Sequence, residues 1–234
     1  MALSLIGSNG LNHPSIQRVI EIAEEIVSEN KLLTAEILYK NAKRRLNLSR
    51  RGLISIIQLL FNRKILVEGS KFTKDSVLSN AYRSGIYNYI RSNLGTHFSS
   101  IRKQVLSEKE GTGSAGQLIW HLEMLIKFTL IKKIKVGNYT IFLPIDIDED
   151  VGLIYFLIND PINKKILELL VEHESIQQPT VYKLINEKRE LVYYRINNLI
   201  DFDIIFISEE DDNNNIRLNT NKKKVIIQIL ENKI

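Results

Sequence analysis

Residues 119–126 read IWHLEMLI, and β-type residues resume at Ile131, five residues beyond this segment. The segments LISIIQLL at 53–60, followed by Ile65, and YYRINNLI at 193–200, followed by Ile205, have the same apolar spacing. Aliphatic residues at positions i, i+3 and i+4 lie on one face of a helix. Three such segments, each followed by a β-type run, predict an internal repeat of helix and β-ribbon.

The predicted ribbon is clearest after the second segment. Residues 130–134 and 139–143 are rich in β-formers, and Gly137-Asn138 between them is typical of a hairpin turn. After the third segment, residues 203–207 are followed by a polar turn at 209–215 and a return strand at 216–218. After the first, residues 64–67 form a single short β-type run. A helix followed by a β-hairpin is how a winged helix ends.

Two further helices are predicted ahead of each repeated segment. Thr34 and Ser49 are suitable N-caps for the second and third helices of the first copy. The predicted upstream helices span residues 15–29 and 34–46, 82–92 and 99–106, and 163–172 and 180–185, with a closing helix at 222–231.

The predicted fold is mainly α with short β-hairpins (α+β), built as three tandem winged helix-turn-helix modules. The module boundaries fall at residues 1–75, 76–145 and 146–234, and the second boundary runs through an acidic linker at 144–150. Each module is small, but modules of this size fold when they stack on their neighbours.

Charge divides the predicted modules into two classes. The whole chain carries a net charge of +5, and the three modules carry +5, +6 and −6 in chain order. A polyanionic partner should therefore meet the first two modules. The third is expected to contact a protein partner or a second copy of the chain. The alternative is that surface charge is simply scattered.

Part of the chain resembles archaeal winged helix-turn-helix transcriptional regulators. Residues 86–98 resemble their first helix and turn, residues 116–122 their recognition helix with its aromatic–His–Leu step, and residues 137–144 their wing and last strand. The resemblance is good over residues 82–144, weaker in the third module and weakest in the first. This chain departs from the pattern in an insertion at residues 107–114. The resemblance implies DNA binding as the commonest role, although the same fold also mediates protein contacts.

Candidate DNA-binding residues come from helices and the central wing. Basic residues cluster on the second and third helices of the first module, and Gln117 and His121 lie four residues apart on the central third helix. The alternatives are a solvated basic face, a structural His121, and wing lysines that only protect a strand edge. Trp120 is expected in the core or in an inter-domain contact. The candidate set is Lys40, Lys43, Arg44, Arg50, Arg51, Ser55, Gln117, His121, Lys133, Lys135 and Asn138.

Other classes of function lack their sequence signals. The chain has no cysteine, which excludes disulfides and thiolate metal sites, and its four histidines lack metal-ligand spacing. No phosphate-binding loop or calcium loop is present, and residues 151–158 are too short an apolar run to span a membrane. We expect a cytoplasmic, non-enzymatic regulator that binds double-stranded DNA without cofactor or metal. The alternative is a scaffold like the tandem winged helices of membrane-sorting or polymerase-associated complexes.

Overall fold

The computed structural model describes residues 11–107, 114–208 and 214–231, which form helices and two small antiparallel sheets. The helices are α1 (Pro14–Ser28), α2 (Ala35–Arg45), α3 (Arg50–Asn62), α4 (Ala81–Ser92), α5 (Phe98–Ser107), α6 (Ala115–Lys127), α7 (Glu149–Ile158), α8 (Pro161–Glu172), α9 (Gln178–Leu184), α10 (Arg189–Asp201) and α11 (Thr220–Leu230). The strands are β1 (Thr96–His97), β2 (Ile131–Val136), β3 (Tyr139–Pro144), β4 (Ile176–Gln177), β5 (Ile205–Ile207) and β6 (Asn215–Leu218). This mainly helical arrangement confirms the predicted α+β class.

The chain divides into two compact units. The first contains the residues up to Arg91 together with Ser99–Lys132, and the second contains Ser92–Phe98 and the chain from Lys133 onward. Helices α4 to α6 therefore fall mainly in the first unit, and strands β1 and β3 in the second. The predicted boundaries after residues 75 and 145 do not coincide with this division, and the three-module organisation stays a prediction.

Helices α3, α6 and α10 are the three copies of the predicted repeat, and each is 13 residues long. Each buries three aliphatic side chains at positions i, i+4 and i+7, so that a single apolar face packs into the core. The buried sets are Leu53, Ile57 and Leu60 in α3, Leu118, Leu122 and Leu125 in α6, and Val192, Ile196 and Leu199 in α10. Leu118, Leu122 and Leu125, whose spacing predicts that they face the core, are buried as expected.

These three helices also end in the same way. Lys64, Thr129 and Asp203 adopt left-handed φ angles of 54°, 52° and 55°. In each copy the next amide N–H donates to the carbonyl five residues earlier, as Leu130 does to Leu125. This shared ending shows that the predicted alignment of the first copy is displaced by one residue, since Leu66 rather than Ile65 corresponds to Ile131. The error arose because α3 contains neighbouring aliphatic residues. Its apolar spacing therefore fits the other two helices equally well in two alignments that differ by one residue.

The hairpin predicted at Gly137-Asn138 is confirmed. Strands β2 and β3 flank this turn in a sheet of order β1-β3-β2, and Gly137 has φ 55°. The second sheet has the order β4-β6-β5, with Ile205 opposite Leu218. The two-residue strands β1 and β4 were not predicted, because two residues carry no alternation pattern. The turn predicted at 209–215 and the insertion at 107–114 lie largely outside the described residues.

The predicted β-run at residues 64–67 is wrong. Leu66 forms only an isolated antiparallel bridge with Thr73, and Leu33 forms another with Ser70. The left-handed Lys64 and the turn at Gly69, with φ 70°, leave too few consecutive extended residues for a strand.

The predicted acidic linker is partly wrong, because helix α7 begins within it. The Asp148 side chain accepts a hydrogen bond from the amide N–H of Asp150, which caps the helix. Glu149 and Asp150 lie in the first turn, where negative charge complements the helix dipole. The helix buries Ile154 and Leu157 in the core of the second unit. Within the described ranges, the helices all fall short of the length and apolar character that a bilayer crossing requires.

Candidate nucleic-acid interface

Helices α2 and α3 form a helix-turn-helix in the first unit. Thr34 Oγ1 accepts a hydrogen bond from the amide of Ile37, and Ser49 Oγ accepts one from the amide of Gly52, which confirms both predicted N-caps. The apolar face of α3 packs with Leu38 and Ala42 of α2 in one buried cluster. This packing fixes the second helix against the third and leaves the opposite face of α3 in solvent.

Arg50 and Arg51 occupy the first turn of α3. Both are exposed, and neither has a hydrogen-bond or ion-pair partner among the described residues. The first turn contains no acidic residue. Because the N-terminal end of a helix carries a partial positive charge, two arginines here add to a field that favours a bound anion.

A polar stripe continues from Arg51 along α3. Ser55, Gln58 and Asn62 follow it at positions i+4, i+7 and i+11, and all four side chains are exposed. Each can form hydrogen bonds, and the amides of Gln58 and Asn62 can both donate and accept. Sequence reasoning selected Arg51 and Ser55 but missed Gln58 and Asn62, although their helical spacing from Ser55 was a usable signal.

The candidate DNA-binding cations of α2 differ in whether they already have an ion-pair or hydrogen-bond partner. Lys40 Nζ lies 2.7 Å from Glu36 Oε1 in an exposed ion pair, and Lys43 Nζ donates to the carbonyl of Leu48 at 3.1 Å. Arg44 is exposed and has no partner among the described residues. Exposed ion pairs contribute little stability, so Lys40 can exchange its partner for a phosphate at low cost. Arg44 can bind a phosphate without first breaking a contact with another described residue.

The central candidates Gln117 and His121 have different environments. Gln117 is exposed on α6, but His121 is only 4% exposed. His121 lies three residues after Leu118 and four after Gln117, so it borders both the buried stripe and the face of Gln117, and the fold buries it. The prediction that His121 contacts DNA is therefore corrected: its side chain cannot reach a base edge from this position.

His121 is enclosed by aromatic and cationic groups. Its ring centroid lies 4.8 Å from that of Tyr82 and 4.8 Å from that of Trp120. Burial lowers the pKa of His121, and the positive charge of Arg83 lowers it further. The histidine therefore stays neutral at physiological pH and serves packing. Trp120 itself is 49% exposed, so it is not a core residue.

Arg83 is a buried cation that sequence reasoning did not identify. It is 1% exposed, its Nε donates to the carbonyl of Val77, and no carboxylate within the described ranges pairs with it. Its guanidinium carbon lies 4.5 Å from the centroid of Phe72 and 5.6 Å from that of Trp120. Burial lowers the pKa of Arg83, and the two rings offset part of the cost of its charge.

The lowered pKa of His121 predicts acid sensitivity. The unfolded chain binds a proton at this histidine more readily than the folded one, so stability is full above the unfolded value of 6.5 and falls as pH decreases below it. His121→Phe retains the ring contacts and removes the titration. We expect its urea stability, measured from pH 7.5 to 5.5, to fall less steeply than that of the parent. An unchanged slope would show that His121 does not protonate on unfolding.

The candidate wing residues lie in the second unit. Lys133, Lys135 and Asn138 are all exposed, the lysines on β2 and Asn138 in the turn. Alternate lysines on an exposed strand face can contact phosphates or protect the edge, and the sequence leaves both roles open.

Helix α10 presents a different surface from α3. Its first turn contains Glu190 beside Arg189, whose guanidinium carbon lies 5.2 Å from the Tyr193 ring centroid. Further along, Arg195 Nη2 is 2.6 Å from Asp160 Oδ2 in an ion pair. The cations of this helix are thus balanced or stacked, whereas those of α3 are not.

Comparison with known proteins finds a related transcriptional regulator. Over 138 residues, which is 58% of this chain, the sequence is 34% identical to an uncharacterized HTH-type transcriptional regulator of Methanocaldococcus jannaschii. The match covers 33% of that relative, so the chain spans about a third of its length. No family model matches the chain, and no solved structure matches it. The similarity agrees with a helix-turn-helix regulator at the general level.

Proposed function

We propose that the chain is a transcriptional regulator that binds double-stranded DNA through the helix-turn-helix formed by α2 and α3. The observation that carries this proposal is the exposed polar stripe of α3 that runs from Arg51. Arg51 and its neighbour Arg50 have no partner among the described residues. The similarity to an archaeal helix-turn-helix regulator supports the same general role. In this class of motif the second helix enters the major groove with its N-terminal residues toward the bases.

The exposed residues of α2 and α3 divide into two roles. Arg44 and Arg50 contact phosphates, which fixes the register of the protein on the duplex. Arg51, Ser55 and Gln58 face the base edges, where arginine recognises guanine and glutamine recognises adenine. Lys40 and Lys43 add to the phosphate contacts after leaving their present partners.

The proposed organisation is three tandem winged helix-turn-helix modules with different tasks. The first supplies the reading helix, and the central one supplies Gln117 on α6 and the wing residues Lys133, Lys135 and Asn138. The third is acidic and provides a contact with a protein partner or a second copy of the chain.

Salt dependence of DNA binding tests the proposal. Fluorescence anisotropy should show binding of the full chain to genomic duplex fragments at low salt. If four to six phosphates are contacted, affinity should fall by about 10²–10³-fold between about 50 and 200 mM salt. Competition with a mixed-sequence duplex then measures sequence preference. Absence of binding at low salt would reject the proposal.

A second candidate role, protein binding, is favoured by helix α6. Ile119 and Trp120 are 51% and 49% exposed on it, at positions where α3 has Ile54 and Ser55. Aromatic side chains of this kind are frequent in the centres of protein interfaces. A stoichiometric protein partner that is retained at high salt, and that Trp120→Ala no longer binds, would favour this role over DNA binding.

A further inference from the structure

The second unit contains a cavity of about 510 Å³, which is within the size range of small-molecule sites. It lies between the β2–β3 turn, the C-terminal half of α7, the start of α8 and one side of α10. All of its lining residues belong to the second unit. Of the residues proposed to bind DNA, Asn138 lines this cavity, and those of α3 do not.

Aromatic rings form much of the lining. The Tyr139 centroid lies 5.5 Å from that of His97 and 5.4 Å from that of Phe156, so these three side chains form one cluster. Helix α10 adds Tyr194, which is 58% exposed, and Phe202 follows at its end. Half-exposed rings around a cavity offer stacking surfaces for a planar molecule.

Four asparagines supply the polar part of the lining: Asn138, Asn159, Asn163 and Asn198. Asn163 is 5% exposed, and its Nδ2 donates to the carbonyl of Leu157 at 3.0 Å. That bond fixes the amide orientation and leaves Oδ1 without a hydrogen-bond partner among the described residues. The other three asparagines are less buried than Asn163, and their amides can donate to and accept from a ligand.

The charged groups of the lining balance each other. Asp160 and Arg195 form an ion pair at 2.6 Å, and Arg195 Nε is buried without a hydrogen-bond partner in the described part of the chain. The cavity lining thus carries no net charge, and its asparagine amides both donate and accept hydrogen bonds. This combination favours a neutral ligand whose edge carries both donors and acceptors.

We infer that this cavity binds a nucleobase or nucleoside. The planar ring stacks among Tyr139, Phe156 and Tyr194, and the asparagine amides bind its polar edge. Gly137 and Asn138 of the β2–β3 turn line the same cavity, so the ligand contacts the wing and holds it against α10. The inference goes beyond the proposed DNA binding and is tested without DNA.

Calorimetric titration of the full chain with adenosine, guanosine, cytidine and uridine tests the inference. We expect at least one nucleoside to bind, and to raise the unfolding temperature by about 2 °C or more at concentrations well above its Kd. A single-stranded thymidine oligonucleotide distinguishes a free nucleoside from the bases of a nucleic acid. Binding of the oligonucleotide alone, or of none of the probes, would overturn the inference.

Two lining positions of α10 provide matched variants. Tyr194→Ala and Asn198→Ala should each weaken nucleoside binding about tenfold, because they remove a stacking surface and an amide. Tyr193→Ala removes the neighbouring ring, which stacks with Arg189 and is not part of the lining, and should bind as the parent does. Equal losses in Tyr193→Ala and Tyr194→Ala would overturn the inference, since binding would then not depend on the cavity.

Discussion

Gly95→Ala is expected to destabilise the second unit by about 3 kcal/mol, the combined cost of a left-handed residue with a Cβ and of an overpacked contact. Gly95 has φ 73°, and a Cβ built on it would lie 2.6 Å from the backbone nitrogen of Phe156 and 2.7 Å from the carbonyl oxygen of Gly152. Both atoms belong to the backbone of α7, which cannot move as a flexible side chain would. The substitution must therefore displace α7 or the turn before β1.

Chemical denaturation monitored by circular dichroism measures this loss. Gly85→Ala is the matched control, because Gly85 lies in the middle of α4 and a Cβ there meets nothing within 4 Å. It should gain about 0.5–1 kcal/mol from the better helix propensity of alanine. A Gly95→Ala variant within about 0.5 kcal/mol of the parent would show that the close approach to α7 is not maintained in solution, given the usual spread of such effects.

Features that depend on nearby residues were predictable from the sequence. The apolar stripes of α6 and α10, the Gly137-Asn138 hairpin and the caps Thr34 and Ser49 all follow from spacing or from a single residue type. Each depends on contacts within a few residues of the chain, which is why a pattern in the sequence can indicate them.

Features that depend on distant contacts were not predictable. Strand β1 exists because Thr96 pairs with Phe142, and the burial of Arg83 depends on Phe72 and Trp120. Nothing in the local sequence of Arg83 distinguishes it from an exposed arginine.

The sequence predicted the basic residues of the candidate interface, but it did not predict their surroundings. The sequence identified Arg44, Arg50 and Arg51 by type and position, and the structure finds them exposed and, among the described residues, without partners. It could not show that Lys40 is paired with Glu36, because that depends on side-chain conformation. His121 borders both the buried stripe and the face of Gln117, and only its contacts with Tyr82 and Trp120 show that it is buried.

Reversing the charge of the first turn of α3 should abolish DNA binding if the proposed interface is correct. In Arg50→Glu/Arg51→Glu we expect affinity to fall more than about 100-fold at low salt, because a phosphate contact and a base contact are both lost. The slope of log K against log salt should decrease in magnitude by about 1, because the phosphate that Arg50 contacts keeps its counterions. Glutamate in a first turn complements the helix dipole, so α3 should stay folded. Circular dichroism checks that it does.

The control is the same charge change at the corresponding turn of α10. Lys188 and Arg189 are both exposed, and Arg189 is the first residue of α10 as Arg50 is of α3. Lys188→Glu/Arg189→Glu therefore matches the interface variant in net charge and lies one residue nearer the start of its helix, at the N-cap and the first helical position. We expect it to retain DNA affinity within about threefold, because neither residue belongs to the proposed phosphate or base contacts. If both double variants lose affinity equally, binding follows the net charge of the chain, and α3 is not the reading helix.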